Sequence, residues 1–166
     1  MKPLRRVPAD DVPAVVEALR AALAGGTAVW PTERPDRPAP AEPGEGDDRV
    51  VLVVETSGST ASPKRVMLSA DALRASADAT AERLGGHGRW LLALPAHYIA
   101  GAQVIVRALL AGHDPVVLGA AHFDAEAFVA ATARLTRATA DASPRFTSLV
   151  PVQLGRLVDA AGGDPE

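Results

Sequence analysis

The chain of 166 residues contains no cysteine, which excludes disulfide bonds and thiolate chemistry. Lysine occurs only as Lys2 and Lys64, and aromatic residues make up only 4% of the sequence. Neither sign of charge dominates, because the net charge is −3 at pH 7. Such a chain has no bulk attraction for nucleic acid or for an anionic membrane surface, so we expect neither as a partner.

Long apolar runs are also missing. The longest such stretch, residues 91–106, is interrupted by Pro95, His97 and Gln103, and it is shorter than the roughly 20 residues that a membrane-spanning helix needs. The basic residues 1–6 are not followed by the apolar segment of a signal peptide. We therefore expect a soluble, cytoplasmic protein without membrane insertion.

The composition changes along the chain in a way that predicts three segments. Residues 1–30 predict an amphipathic helix over residues 10–24 and a short strand at residues 28–30. Residues 31–48 contain five prolines and two glycines among many charged residues, which is typical of a linker or surface loop. Residues 49–166 then return to an ordered pattern.

Short apolar runs alternate with helical patterns throughout residues 49–166. This alternation predicts βαβ crossovers and hence an α/β fold, with a layered, largely parallel sheet and flanking helices. Strands are predicted at residues 50–54, 65–68, 90–94, 115–118 and 146–150, and helices from Ser69, from Ile99 to Leu110, from Asp124 and from Pro151.

The loop between the first two of these strands carries an unusual concentration of small and hydroxylated residues. Small residues let backbone N–H groups approach phosphate oxygens, hydroxyl groups add donors, and a lysine adds positive charge. The loop is not a Walker A motif, because no Gly-Lys-Ser/Thr follows at the required spacing. An empty hairpin loop is the alternative interpretation. The candidate phosphate-binding residues are Thr56, Ser57, Gly58, Ser59, Thr60 and Lys64.

This segment resembles the phosphate-binding loop of the adenylate-forming (AMP-binding) enzymes, whose pattern is approximately [ST]-S-G-[ST]-T-G-x-P-K. The chain matches it from Thr56 to Thr60 and again at Pro63 and Lys64. The chain departs from this pattern at Ala61, where the family usually has glycine. If that position requires a positive φ, alanine costs about 1 kcal/mol and reshapes the turn.

A second motif, Leu-Pro-Ala-His-Tyr-Ile-Ala-Gly at residues 94–101, follows a predicted buried strand, where open α/β sheets bind their ligands. It resembles the L-P-x-H-x-x-x-G stretch of the o-succinylbenzoate–CoA ligases, a group within the superfamily. The string Ser-Leu-Val-Pro-Val-Gln-Leu at residues 148–154 continues this resemblance. The resemblance implies that His97 and Gly101 contribute to the acyl-substrate site. A histidine at a strand end is otherwise more often structural, and Gly101 also allows close helix packing.

The resemblance further implies a reaction and its co-substrates. Enzymes of this kind activate a carboxylate with ATP and Mg²⁺ to an acyl-adenylate and transfer the acyl group to CoA. They also use a second, late lysine and downstream acidic residues that are not found here, so the catalytic set is incomplete. The resemblance covers about residues 50–158, the front part of the family's N-terminal domain. We therefore expect the chain alone to be inactive.

Two alternatives remain at this point. The chain is either part of such a ligase, truncated or split, or a non-catalytic nucleotide- or phosphate-binding module or degenerate remnant. An unfinished sheet would expose an unpaired edge, which favours association with another chain. The spacing of His87, His113 and His122 matches no metal site, so no protein-held metal is predicted.

Overall fold

The computed structural model describes residues 4–33, 49–56, 64–119, 122–137 and 142–162. These ranges contain seven strands and five helices. In chain order they are β1 (Leu4–Pro8), α1 (Val12–Leu23), β2 (Ala28–Thr32), β3 (Val50–Thr56), β4 (Lys64–Ser69), α2 (Ala70–Leu84), β5 (Arg89–Leu92), α3 (Ile99–Leu110), β6 (Val116–Val117), α4 (Ala125–Arg137), β7 (Arg145–Thr147) and α5 (Pro151–Gly162).

The first sheet has the strand order β1-β2-β3-β4. Its first three strands are parallel, whereas β3 and β4 form an antiparallel hairpin. β1 is absent from the sequence-based prediction, because the exposed Arg5 and Arg6 interrupt its apolar pattern. β2 is buried along its whole length and runs to Thr32, two residues into the segment assigned to the linker. Residues 34–48 of that linker lie outside the described ranges.

The second sheet has the order β6-β5-β7, and all three strands are parallel. Its central strand β5 aligns Leu91 with Val116 on one side and Trp90 with Phe146 on the other. The predicted α/β class, with largely parallel sheets and flanking helices, is confirmed. The last strand differs from its prediction, since β7 spans residues 145–147 and the chain leaves the sheet before Leu149.

The helix starts follow capping rules. Asp11, Ser69 and Asp124 each accept a hydrogen bond from the backbone N–H three residues later, at donor–acceptor distances of 3.1, 3.2 and 2.8 Å. α2 ends at Gly85, whose φ of 85° is a left-handed conformation that glycine adopts readily. The predicted starts at Ser69 and Asp124 are therefore confirmed.

One core joins the two sheets. Val29 and Leu52 of the first sheet, Leu92 of the second and Val104 and Ile105 of α3 belong to the same buried cluster. A smaller cluster packs α4 against β5 through Leu91, Ala131 and Leu135. Helices α1 and α3 also contact each other. No helix in the described ranges is both long and apolar enough to cross a membrane.

Candidate functional site

The hairpin of β3 and β4 fixes both ends of the candidate phosphate loop. Thr56, the last residue of β3, pairs with Lys64, the first residue of β4. The Thr56 hydroxyl also donates a hydrogen bond to the Lys64 carbonyl oxygen at 3.2 Å. The intervening residues 57–63 lie outside the described ranges, so the placement of Ser57, Gly58, Ser59 and Thr60 in a phosphate site stays a prediction.

Lys64 and Arg65, the two cationic residues at the start of β4, differ in whether their side chains have partners. The Arg65 guanidinium forms an ion pair with Glu55, at 3.2 Å from Nε to Oε1, and lies 5.1 Å from the centre of the Trp30 ring. Lys64 is exposed, and its ammonium forms no ion pair among the described residues. Since neighbouring side chains in a strand point to opposite faces, Lys64 is available to an anion while Arg65 is already engaged.

His97 lies in the turn between β5 and α3, as its sequence motif predicts. Its side chain is 15% exposed, and its ring centre lies 4.0 Å from that of Tyr98. Among the described residues, the buried Nε2 atom has no hydrogen-bond partner. It lies 3.4 Å from Oε1 of the exposed Glu33, a contact that meets the distance of an ion pair without the geometry of a hydrogen bond. The hydrogen-bonding capacity of this His97 atom is therefore unused within the part of the chain that the structure describes.

Glu33 brings the two sequence motifs to the same end of the molecule. In the parallel pair β2–β3, Val29 is opposite Leu52. Glu33 and Thr56 are each four residues further along their strands, so both lie at the carboxyl ends of neighbouring strands. Because Glu33 contacts His97, the base of the β3–β4 hairpin and the turn that carries His97 lie at the same end of the first sheet, the end where β2 and β3 finish. Sequence reasoning missed Glu33, since it assigned that residue to the linker.

Gly101 has a clear packing role. A Cβ atom built at this position would lie 2.1 Å from the Pro95 carbonyl oxygen and 3.0 Å from that of Leu94. Glycine therefore lets the first turn of α3 pack directly on the turn that carries His97. A direct contact of Gly101 with substrate stays a prediction.

Gln153 is a buried polar residue whose role the sequence did not reveal. Its Nε2 donates to the Ala93 carbonyl oxygen at 2.9 Å, and its Oε1 accepts from the Val150 N–H at 3.0 Å. The side chain is thus satisfied at both ends and ties the start of α5 to the carboxyl end of β5. The motif at residues 148–154 contains this glutamine, so the sequence could have indicated Gln153 as a residue of interest.

Helix α3, which packs on β5 of the second sheet, also carries a half-buried cation. The Arg107 guanidinium on α3 lies 5.3 Å from the centre of the Trp90 ring. Desolvation by burial lowers the pKa of Arg107 from its usual value. Arginine still keeps its charge at neutral pH because its normal pKa lies far above the neutral range. This residue stabilises the packing of α3 on β5 and was not among the predicted site residues.

The sequence profile described as AMP-binding enzyme matches residues 4–165, nearly the whole chain. The chain belongs to the AMP-binding enzyme family. This confirms the resemblance that the motifs at residues 56–64 and 94–101 indicated. It also extends the match to the N-terminal residues 4–49, which the motif comparison did not cover.

Curated relatives within the AMP-binding family are named as ligases. A probable 2-succinylbenzoate–CoA ligase of Mycobacterium tuberculosis is 50% identical over 117 residues, which cover 69% of this chain and 29% of the relative. The 2-succinylbenzoate–CoA ligase of Bacillus licheniformis is 32% identical over 112 residues, covering 66% and 22% respectively. The chain thus spans less than a third of the length of these relatives.

Solved structures of the AMP-binding family share the fold. The o-succinylbenzoate CoA synthetase of Bacillus subtilis in complex with the acyl-adenylate intermediate OSB-AMP superimposes with a TM-score of 0.57 at 25% identity, covering 70% of this chain and 29% of that one. A double mutant of the same synthetase bound with the product analogue OSB-NCoA gives a TM-score of 0.58 at 22% identity, covering 82% and 28%.

Proposed function

We propose that this chain provides the triphosphate-binding hairpin and part of the carboxylate pocket of an acyl-CoA ligase, with 2-succinylbenzoate (o-succinylbenzoate) as the carboxylate. The complete reaction would join the carboxylate to AMP with release of pyrophosphate and then transfer the acyl group to CoA. The names of the M. tuberculosis and B. licheniformis relatives support this substrate.

The observation that carries the proposal is the closure of the hairpin at Thr56 and Lys64. Lys64, which is exposed and forms no ion pair with any residue that the structure describes, thus lies at the end of a loop whose composition supplies many small donors. Attack on a phosphorus atom surrounded by negative oxygens requires neutralisation by such groups. In this proposal Thr56, Ser57, Gly58, Ser59, Thr60 and Lys64 hold the β- and γ-phosphates.

Mg²⁺ would arrive with the nucleotide. Magnesium is typically held by one or two carboxylates together with substrate phosphates and water, not by a complete protein cage. The described residues contain no group of three or more potential metal ligands, and this composition fits an ion that is bound mainly through ATP. The ion would supply charge neutralisation between the β- and γ-phosphates.

The carboxylate end of the proposed site is His97. Within the described ranges its Nε2 atom is buried and makes no hydrogen bond, and the only charged neighbour that it contacts there is the carboxylate of Glu33. A substrate carboxylate is an acceptor of the same kind and can take a hydrogen bond from an N–H at this position. In this proposal His97 orients the acyl substrate and does not transfer a proton.

A titration with three anions tests the proposed phosphate site. We expect ATP and inorganic tripolyphosphate to bind the purified chain in isothermal titration calorimetry, and AMP to bind at least roughly tenfold more weakly, because AMP lacks the β- and γ-phosphates that charge-assisted hydrogen bonds would hold. The same chain given ATP, Mg²⁺, CoA and 2-succinylbenzoate should form no thioester. Equal affinities for AMP and tripolyphosphate, or measurable thioester formation, would contradict the proposal.

Substitution of His97 tests the carboxylate site separately. We expect His97→Ala to weaken binding of 2-succinylbenzoate by roughly tenfold, since a hydrogen bond to a charged group contributes about 1.5 kcal/mol or more. His87→Ala is the matched control, because His87 is half-exposed and its ion-pair contact among the described residues is with Asp78, at 3.5 Å. Fluorescence or NMR titration measures both affinities. A similar loss in the two variants would remove His97 from the site.

A further inference from the structure

Glu33 brings a carboxylate to the candidate carboxylate site from the end of β2. Its Oε1 lies 3.4 Å from Nε2 of His97. The side chain of Glu33 is 67% exposed, whereas that of His97 is 15% exposed. The two partners of this contact therefore differ, since the histidine is held inside the protein and the glutamate reaches it from the surface.

The backbone is fixed on both sides of this contact. Thr32, which precedes Glu33, is buried, and its carbonyl oxygen accepts a hydrogen bond from the Ala9 N–H at 2.9 Å. The turn that carries the histidine is closed by a hydrogen bond from the Tyr98 N–H to the Pro95 carbonyl oxygen at 3.3 Å. Rotation of a side chain is then enough to separate the two groups, and the exposed Glu33 side chain has the room to rotate.

The contact between Glu33 and His97 is also loose. It has the distance of an ion pair without the geometry of a hydrogen bond, so the buried Nε2 atom is unsatisfied among the described residues. An ionised carboxylate only accepts hydrogen bonds, and its approach favours the imidazole form that carries a proton on Nε2. A buried donor without a well-aligned acceptor costs free energy. A carboxylate with better alignment would therefore replace Glu33.

We propose that Glu33 occupies the place that a substrate carboxylate takes at Nε2 of His97, and that the substrate displaces it on binding. This inference rests on the proposed carboxylate-binding role of His97. One N–H cannot donate well-aligned hydrogen bonds to two carboxylates, and two negative charges at such a distance repel each other. Glu33 is thus an internal competitor that lowers the affinity of the site for its substrate.

A double-mutant cycle tests this competition. We expect Glu33→Gln, which keeps the size of the side chain and removes its charge, to tighten binding of 2-succinylbenzoate by about fivefold, because a partly exposed ion pair no longer has to be broken. The gain should disappear in a His97→Ala background. The dimethyl ester of 2-succinylbenzoate should bind the wild-type chain and Glu33→Gln equally, since it has no carboxylate to exchange for Glu33. Isothermal titration calorimetry measures these affinities.

Glu17→Gln is the matched control. Glu17 is 71% exposed, and its Oε1 also lies 3.4 Å from a nitrogen atom, Nε of Arg20. Arg20 contacts Asp114, which follows the end of α3, whereas His97 precedes its start. The control and the site are therefore separated by the length of α3, roughly 18 Å. The same loss of one negative charge should leave the affinity for 2-succinylbenzoate unchanged, because exposed charges at this separation are screened.

NMR gives a second measurement, which follows Glu33 itself. In protein with ¹³C-labelled glutamate, the carboxyl resonance that disappears in Glu33→Gln belongs to this residue. It should shift when 2-succinylbenzoate saturates the wild-type chain and stay in place with the dimethyl ester. Such a shift would show that the environment of the Glu33 carboxylate changes when the substrate carboxylate arrives.

The possible results separate this inference from the proposed function. If His97→Ala weakens binding but Glu33→Gln does not tighten it, or if the Glu33 resonance stays in place at saturation, the competition is refuted while the carboxylate site stands. An equal gain in Glu17→Gln, or a gain that persists without His97, would also refute the competition. If neither the wild-type chain nor Glu33→Gln binds 2-succinylbenzoate, both the inference and the proposed carboxylate site are refuted.

Discussion

Lys64→Ala should weaken ATP binding by roughly tenfold or more, because a charge-assisted contact to phosphate contributes about 1.5–3 kcal/mol. Lys64 is exposed at the end of the loop, and its backbone is held by the pair with Thr56. The substitution removes the ammonium without removing this backbone pairing. The hairpin should therefore remain folded while nucleotide affinity falls. Calorimetry with ATP measures the loss, and far-UV circular dichroism verifies the fold.

Arg65→Ala provides the control for this prediction. Arg65 is the adjacent cation, but it is engaged with Glu55 and lies over Trp30. We expect its loss to change ATP affinity by less than about twofold while costing about 1 kcal/mol of stability or less, as is usual for partly exposed ion pairs. Lys64→Arg should retain much of the affinity, because it keeps the charge. If both alanine variants lose affinity equally, bulk charge and not a site at Lys64 explains the binding.

Gly101→Ala should destabilise the fold by about 3 kcal/mol, near the upper end of typical overpacking costs. The added Cβ would lie 2.1 Å from the Pro95 carbonyl oxygen and 2.7 Å from its carbonyl carbon. Both are backbone atoms, so α3 or the His97 turn must move as a whole. For a domain of this size the midpoint of thermal unfolding should fall by roughly 6–12 °C. Differential scanning calorimetry measures this shift.

Gly155→Ala is the matched control on another helix. A Cβ at Gly155 meets nothing within 4 Å, and the residue lies inside α5. Alanine there should stabilise the helix by up to about 1 kcal/mol, because glycine is a poor helix former. A Gly101→Ala variant that unfolds at the wild-type temperature would show that the turn adjusts freely. The close approach would then have no structural importance.

The local elements were largely predictable from sequence. The strands of the hairpin are the clearest case, because a continuous apolar run at residues 50–54 and a return at residues 65–68 flank a loop of small residues. α3 was predicted over Ile99–Leu110 and is observed there, since its apolar residues and the following glycine mark both its body and its end. Capping side chains marked the starts of α2 and α4 for a similar reason.

Other elements could not be predicted because tertiary contacts decide them. β1 has two exposed arginines, and it is a strand because its backbone pairs with β2 from Leu4 to Pro8. β7 ends at Thr147 although the apolar pattern continues to Val150. The hydrogen bond from the Val150 N–H to Gln153 draws the chain into the start of α5. The pattern of apolar residues along the chain does not show that β1 pairs with β2 or that Val150 bonds to Gln153.

Sequence alone determined the family, the α/β class and the identity of the motif residues, because these depend on residue type and spacing along the chain. The tertiary structure decided which residues meet: Glu33 contacts His97, and Gln153 joins β5 to α5. Such contacts join residues up to 64 positions apart in sequence. They arise only when burial of a shared core fixes the elements against one another, and no local pattern records that arrangement.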